Sequence, residues 1–199
     1  MTIVSPFLTF PNISWWAQVM DAGLVILDGG EHFQKMTSRN RYHISGANNP
    51  ILLTVPLVNG RNQHVPMKDV NVYNGERWQV QHWRTLVSVY RRTPYFDHYE
   101  EGLGQLFHTE YTHLVDFNRA GVVWAKKQLK MSFETQETMT FQKGYPADIT
   151  DLRAGYQNAD RVQPRYYQVS EDRIGFRHDL SILDLLFSEG PRAKDLLIG

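Results

Sequence analysis

The chain of 199 residues contains no cysteine, and that absence excludes several kinds of site. Without thiols the chain has no disulfide framework, no thiolate zinc site, no iron–sulfur cluster held by cysteine and no cysteine nucleophile. A reducing compartment is compatible with this composition.

Net charge is also absent, because 21 Lys and Arg residues balance 21 Asp and Glu residues. No broad basic field favours nucleic acid, and no broad acidic field favours a cationic partner. The sequence also lacks the phosphate-binding and dinucleotide-binding glycine loops, the HExxH pair and the GxSxG elbow. We therefore expect no cofactor, no metal site and no nucleic-acid partner, and any charge-based function must depend on a local cluster.

Long apolar runs are missing as well. The longest run, 51–58, is interrupted by Thr54 and Pro56 and is too short to cross a bilayer. The first sixteen residues lack the basic and apolar regions of a signal peptide. We expect a cytoplasmic protein with no membrane partner.

What is present predicts a mixed α/β fold. A hydrophobic content of 42% allows a sizeable core, and the strands are concentrated in the first 75 residues, followed by a helical region and a C-terminal helical cap. The predicted strands cover 6–10, 24–27, 42–46, 51–58 and 68–73. The predicted helices cover 15–23, 75–90 with Asn74 as cap, a segment from Thr93 and Pro94, a segment from Thr112, an amphipathic segment over 179–190, and 191–197.

The domain organisation predicted from this pattern is an α/β core over 1–131 and a C-terminal extension over 132–199. The terminal helices of the extension are expected to pack on the core. Residues 132–170 are polar, rich in turn residues and low in aliphatics, and we interpret them as an extended arm.

A charged cluster, "EHFQKMTSRNR" at 31–41, follows the predicted buried strand that ends at Asp28. Loops at the carboxyl ends of such strands often carry ligand groups. Lys35, Arg39 and Arg41 have the chemistry to hold phosphate or carboxylate. Asn40 offers an amide, and Glu31 can orient a cation or act as an acid or base. On composition alone a solvated loop is the more common interpretation.

A second cluster lies at 77–96, "RWQVQHWRTLVSVYRRTPYF". The helical spacing places His82 at the boundary between core and solvent, which suits a general base and equally suits a histidine that hydrogen-bonds a backbone carbonyl. Tyr95 is an aromatic side chain able to stack on a sugar or base, although a role in the core is more common.

These segments together resemble the WbqC-like protein family. The resemblance covers most of the chain and is densest from residue 7 to about 107. Its blocks are "FPNISWWAQVMDAG" at 10–23, "EHFQKMTSRNRYHI" at 31–44, "LLTVPL" at 52–57, "WQVQHWRTLVSVYRRTPYFDHYEEGL" at 78–103 and "LSILDLLFSEGP" at 180–191.

The resemblance implies a role in surface polysaccharide (O-antigen) biosynthesis, with transfer of an acyl or aminoacyl group to an amino sugar or nucleotide-sugar. Direct transfer needs a base for the ammonium proton and cations for any phosphate. We assign catalytic roles to His82 and Glu31. The residues assigned to substrate binding are Lys35, Arg39, Asn40, Arg41, Trp78, Tyr90 and Tyr95.

Two departures from the family pattern limit the chemistry. The opening Gln-Pro-x-Tyr pattern of the family is weakened to "LTFPNISWW", and Tyr42 stands where close relatives often have cysteine. If that cysteine is a nucleophile in the relatives, this chain uses direct transfer or is inactive.

Two alternatives remain open from the sequence. One is a non-catalytic protein of the same pathway that binds a nucleotide-sugar or another small molecule bearing phosphate or carboxylate. The other is a buried structural network of Glu31, Arg39 and Arg41, which predicts loss of stability on mutation and no ligand. The transferase hypothesis instead predicts that His82→Ala and Arg39→Ala abolish turnover at nearly unchanged melting temperature. A homo-oligomer is compatible with every alternative.

Overall fold

The computed structural model describes residues 1–155 and 165–198. The strands are β1 (Thr2–Pro6), β2 (Leu24–Asp28), β3 (Arg41–Ile44), β4 (Ile51–Thr54), β5 (Glu134–Thr138) and β6 (Ile149–Asp151). The helices are α1 (Ile13–Val19), α2 (Trp78–Tyr90), α3 (Phe96–His108), α4 (Leu114–Gln128), α5 (Glu171–Ile174), α6 (Ile182–Glu189) and α7 (Ala193–Ile198). The predicted mixed α/β class is confirmed.

Four of these strands form a parallel sheet in the order β5-β2-β1-β6. The chain runs from β1 to β2 and β5 on one side, and then returns to place β6 on the other side of β1. Parallel sheets of this kind place their ligands at the carboxyl ends of the strands, near the point where the strand order reverses.

Two buried tryptophans and a side-chain cap fix the first helix, and one of the tryptophans bonds to the first strand. Asn12 caps α1 by accepting a hydrogen bond from the backbone N–H of Trp15 at 3.2 Å, and the indole of Trp15 donates to the Ser5 hydroxyl at 2.8 Å. The strand predicted over 6–10 is misplaced, because the chain pairs with β2 only from Thr2 to Pro6 and then leaves the sheet at its carboxyl end.

The two outer strands of the sheet, β5 and β6, come from the segment 132–170, which was predicted to be an extended arm. β5 pairs with β2 and β6 pairs with β1, so the arm interpretation is wrong for these two segments. Edge strands exposed to solvent do not need an apolar face, and β5 is polar and largely exposed. Residues 156–164 of the predicted arm lie outside the described residues. The division at 131/132 stays a prediction.

The middle of the chain follows its hydrophobic periodicity. β3 and β4 form an antiparallel pair in which Arg41 lies opposite Thr54, and α2, α3 and α4 follow as predicted. Two details differ. Asn74 does not cap α2, because its side chain accepts a hydrogen bond from the indole of Trp78 instead. The strand predicted over 68–73 is replaced by a 3₁₀ turn at Met67–Asp69 and isolated bridges.

The C-terminal helical cap is buried rather than amphipathic. Ser181 caps α6, all residues from Ile182 to Ser188 are buried, and the helix contacts α1, α3 and α4. Gly190 ends it with φ of +54°, and a β-carbon there would lie 2.4 Å from the ring of Tyr95, so glycine is required. Among the described residues, no helix has the length and apolar composition needed to cross a membrane.

Candidate functional site

A cleft of about 390 Å³ lies at the carboxyl end of the parallel sheet. We call it the carboxylate cleft after its two acidic side chains, Glu31, which follows β2, and Asp151, the last residue of β6. Its lining residues are Glu31, His32, Phe33, Gln34, Phe141, Lys143, Asp151, Arg153 and Ala154. This is the part of a parallel sheet at which ligand sites are usually found.

Arg153 connects the ends of β2 and β6. Its guanidinium donates to Asp151 at 2.6 Å and to the fully buried Asp28 at 2.7 Å. The hydrogen bonds from Arg153 lower the pKa of Asp151, so this carboxyl is ionised near neutral pH. Asp28 also accepts hydrogen bonds from the backbone N–H groups of Gly30 and Glu31, at 2.9 and 3.1 Å. The wall of the cleft is therefore held by charge-assisted hydrogen bonds.

Glu31 and Arg39 form a second buried ion pair beside this network. The guanidinium donates two hydrogen bonds to the carboxylate, at 2.8 and 2.7 Å, and the side chains are only 4% and 2% exposed respectively. Burial raises the pKa of Glu31, and the hydrogen bond from Arg39 partly offsets that effect. Arg39 also donates to the Thr37 hydroxyl at 3.3 Å, so the same guanidinium contacts both Glu31 and Thr37.

A strap formed by residues 139–148 links β5 at one edge of the sheet to β6 at the other. It passes over the carboxyl ends, where its Gln142 carbonyl accepts a hydrogen bond from Arg153 at 2.7 Å. The guanidinium of Arg153 lies over the rings of Phe141 and Tyr145, at 5.3 and 5.0 Å. The strap supplies Phe141 and the exposed Lys143 to the cleft.

The cluster predicted at 31–41 is divided by the structure. Glu31 and Arg39 are brought together, and Glu31 lines the cleft. Lys35 is exposed and donates to Asn62 at 3.4 Å. Asn40 is buried and donates to the Val55 carbonyl at 3.0 Å. This hydrogen bond joins the two open ends of the hairpin formed by β3 and β4. Arg41 lines a different pocket. The hypothesis of a buried network of Glu31, Arg39 and Arg41 is therefore wrong for Arg41.

Three of the candidate residues in the second cluster, Trp78, His82 and Tyr90, are buried in the core. His82 is 4% exposed rather than at the boundary with solvent, and its ring nitrogens lie 3.2 Å from the Tyr42 hydroxyl and 3.2 Å from the Thr54 carbonyl. Burial lowers the pKa of His82 to about 4. Trp78 is 2% exposed and packs edge-on against His82. Among the described residues, neither side chain lines the carboxylate cleft.

The two tyrosines that were assigned to substrate binding contact α6 or the glycine that ends it. Tyr90 is fully buried, donates to Asp184 at 2.5 Å and accepts from the backbone of Ser45 at 2.9 Å. Tyr95 packs against Gly190. Neither lines the cleft in the part of the chain that is described, and the binding roles assigned to both stay predictions.

Four ionisable cleft residues were not among the candidates predicted from the sequence: His32, Lys143, Asp151 and Arg153. His32 belongs to the charged cluster at 31–41, and its position directly after Glu31 is the sequence feature that could have indicated a role for it. The other three lie in the polar segment after residue 131, where no hydrophobic pattern indicates that the chain returns to the sheet. Their proximity to Glu31 depends on the pairing of β6 with β1.

A model described as the WbqC-like protein family matches residues 8–152. The match includes α1 to β6 and every cleft residue up to Asp151, whereas Arg153 and Ala154 lie just beyond it. No curated protein and no solved structure matches the chain significantly.

Proposed function

Since this chain belongs to the WbqC-like protein family, we propose that it is an acyl- or aminoacyl-transferase that acts on an amino sugar or a nucleotide-linked amino sugar in surface polysaccharide (O-antigen) biosynthesis. The observation that carries the proposal is the carboxylate cleft itself. It places Glu31 and Asp151 beside the exposed side chains of His32 and Lys143.

The cleft has groups for each part of such a substrate. Glu31 accepts only two hydrogen bonds from Arg39, so it can accept a further one from a sugar ammonium, and Asp151 adds a second negative charge to the cleft. Lys143 is a mobile cation suited to the phosphate of a sugar phosphate or nucleotide-sugar. Phe33 and Phe141 provide apolar surface for the faces of the sugar ring.

The chemistry we propose is direct transfer. The sugar amine must first lose its ammonium proton, and histidine is the commonest side chain for that step. His32 accepts the ammonium proton, the amine nitrogen attacks the acyl carbon of an activated donor, and the bond to the leaving group breaks with its electron pair. The nitrogen then loses its second proton to the departing group, so the products are a neutral amide, the protonated leaving group and a protonated His32. The donor is an activated ester, thioester or acyl phosphate. Glu31 holds the ammonium before transfer and balances the charge that develops on His32.

We propose His32 for this role in place of His82. A base must reach the proton that it removes. Both ring nitrogens of His82 are within hydrogen-bond distance of protein oxygens, and its surroundings favour the neutral ring. His82 then serves to join α2 to the hairpin of β3 and β4.

The test is a mass-spectrometric screen of amino sugars and nucleotide-linked amino sugars against thioester and aminoacyl donors. We expect a product heavier by one acyl or aminoacyl group. His32→Ala and Lys143→Ala should each reduce turnover at least tenfold at an unchanged melting temperature, because both side chains are exposed. Arg84→Ala, an exposed arginine on α2, is the matched control. Turnover that persists in His32→Ala and is lost only in His82→Ala would refute the assignment of the base.

A non-catalytic binding protein of the same pathway is the second candidate. Two observations favour it: Glu31 and Arg153 are already paired with other charges, and no hydroxyl or thiol group is found among the described cleft residues. This candidate predicts saturable binding of the nucleotide-sugar with no product at any pH. The screen above separates the two candidates directly.

A further inference from the structure

A second pocket, of about 280 Å³, lies at the carboxyl end of β1. We call it the Arg41 pocket. The lining residues that matter for its chemistry are Met36, Thr37, Arg41, His43, Leu52 and Asp179. It shares no lining residue with the carboxylate cleft.

Arg41 is the cation of this pocket. Its side chain is partly exposed, and no hydrogen bond or ion pair from it is found within the described parts of the chain. A guanidinium placed in a concave site without a carboxylate partner is suited to a planar, bidentate anion. Burial, together with the charge of Arg41, lowers the pKa of His43, so the imidazole on the same wall is neutral and can donate or accept one hydrogen bond.

The acidic side chain in the pocket is already engaged. Asp179 accepts hydrogen bonds from the Asn12 amide and from the backbone N–H of Ser14. Those two donors hold the carboxylate beside the start of α1, and its charge partly offsets the lowering of the His43 pKa. The mouth of the pocket is apolar, because Met36 is 66% exposed and Leu52 is 42% exposed. The pocket therefore combines one cation, one carboxylate already held by neutral donors and an apolar rim.

The backbone around this pocket is strained. Phe10, Met36 and Asp179 have φ values of +40°, +62° and +60°. They are three of the four non-glycine residues with positive φ among those described, and all three line this pocket. Side chains other than glycine adopt this conformation at an energetic cost, and such residues concentrate at ligand sites.

We propose that the Arg41 pocket binds a small organic anion, held through its carboxylate or phosphate group by Arg41, with the apolar part of the ligand against Met36 and Leu52. This site is separate from the carboxylate cleft, and the buried Arg39 links the two: its guanidinium contacts Thr37 in the pocket and Glu31 in the cleft. The inference does not require the transfer reaction, because its test measures binding alone.

The experiment is an NMR titration of the ¹⁵N-labelled protein with three probes: inorganic phosphate, glycerol 3-phosphate and butyrate. We expect shifts at the amides of Thr37, Ser38 and His43, and at the side-chain N–H of Arg41. Arg41→Ala should weaken binding at least tenfold, and Arg41→Lys should weaken it less because the charge is kept. Arg84→Ala is the control. Comparing inorganic phosphate with butyrate tells whether the phosphate or the carboxylate is recognised, and adding acetate as a fourth probe tells whether the apolar chain of butyrate adds affinity.

Two results would overturn the proposal: no saturable shifts with any probe, or shifts that are equally strong in Arg41→Ala and in the wild type. If Arg41→Ala lowers the melting temperature strongly, Arg41→Gln and the position of the shifts in the wild type decide the question. Failure of acyl transfer with intact binding here would contradict the proposed function and leave this inference supported.

Discussion

At the scale of single residues, the pair of Glu31 and Arg39 is the clearest case of one side chain depending on another. Both side chains are almost completely removed from water, and each compensates the charge of the other. Breaking a buried pair from one side leaves an uncompensated charge, which is far more costly than removing both charges. The pair therefore contributes to the fold whether or not Glu31 also meets a ligand.

The first prediction is that Arg39→Ala destabilises the protein by about 3 to 5 kcal/mol. This differs from the expectation drawn from the sequence, which was an unchanged melting temperature. Urea unfolding of Arg39→Ala, with Arg84→Ala as the exposed control, is the measurement. The double variant Glu31→Leu/Arg39→Met should recover most of the loss, because both charges are then gone. A loss below about 1 kcal/mol in Arg39→Ala would contradict the structural role.

The second prediction concerns Asp184, a fully buried carboxyl that accepts hydrogen bonds from Tyr90 and Tyr166 at 2.5 and 2.7 Å. Burial raises the pKa of Asp184 to about 6. The folded state then binds this proton more tightly than the unfolded state. Its contribution to stability consequently increases as pH falls from above 6 toward 4, by roughly 3 kcal/mol for a shift of about two pKa units.

This pH dependence is checked by comparing the unfolding free energies of the wild type and Asp184→Asn from pH 7 to pH 4. His82 titrates with the opposite sign in the same range, because its lowered pKa makes the folded state lose stability on acidification. The difference between wild type and variant isolates Asp184, and it should grow in favour of the wild type as pH falls. Parallel curves would show that the pKa of Asp184 is the same in the folded and unfolded states, which would contradict the raised value.

The residue scale also shows why only part of the candidate site could be predicted. Glu31 and Arg39 are eight positions apart, so their complementary charges are visible within one segment. Asp28 and Arg153 also form an ion pair, but 125 positions separate them. Only the pairing of distant strands brings them together, and no local pattern reports that pairing.

At the scale of elements, the strap over 139–148 closes the carboxyl end of the sheet against Gly30. A β-carbon at Gly30 would lie 2.3 Å from the backbone nitrogen of Phe141 and 2.5 Å from the carbonyl carbon of Thr140. Backbone atoms cannot rotate away as a flexible side chain does. The strap therefore has to move if this glycine is replaced.

The third prediction is that Gly30→Ala displaces the strap, lowers stability by about 1 to 3 kcal/mol and weakens ligand binding in the carboxylate cleft. Gly144→Ala is the matched control on the same strap, since nothing lies within 4 Å of a β-carbon there. Thermal unfolding and ligand titration of both variants are the measurements. Equal behaviour of the two variants would contradict the close contact at Gly30.

The elements themselves could be predicted where burial imposes a period on the sequence. α2, α3 and α4 each have one buried face, and α1 and α6 have side-chain caps. β5 and β6 could not be predicted, because polar edge strands show no periodic pattern of buried residues. The segment at 68–73 alternates like a strand, but its alternation reflects two isolated bridges and a 3₁₀ turn.

At the scale of the whole molecule, two concave sites lie at the same end of one parallel sheet. The carboxylate cleft takes residues that follow β2, β5 and β6, and the Arg41 pocket takes residues that follow β1. Arg39 lies between them. The transfer that we propose needs adjacent places for an acceptor and a donor, and two sites at this end of the sheet are compatible with that requirement.

The central claim is that the carboxylate cleft recognises the amine of a sugar, and the most direct test compares two ligands that differ in that amine alone. Glucosamine 1-phosphate and glucose 1-phosphate are titrated into the protein at pH 7 while amide shifts are recorded by NMR. We predict at least tenfold tighter binding of glucosamine 1-phosphate, with shifts at 31–34 and 141–154 and loss of the preference in Asp151→Asn. Equal affinities for the two sugars, or shifts that avoid these segments, would contradict the account.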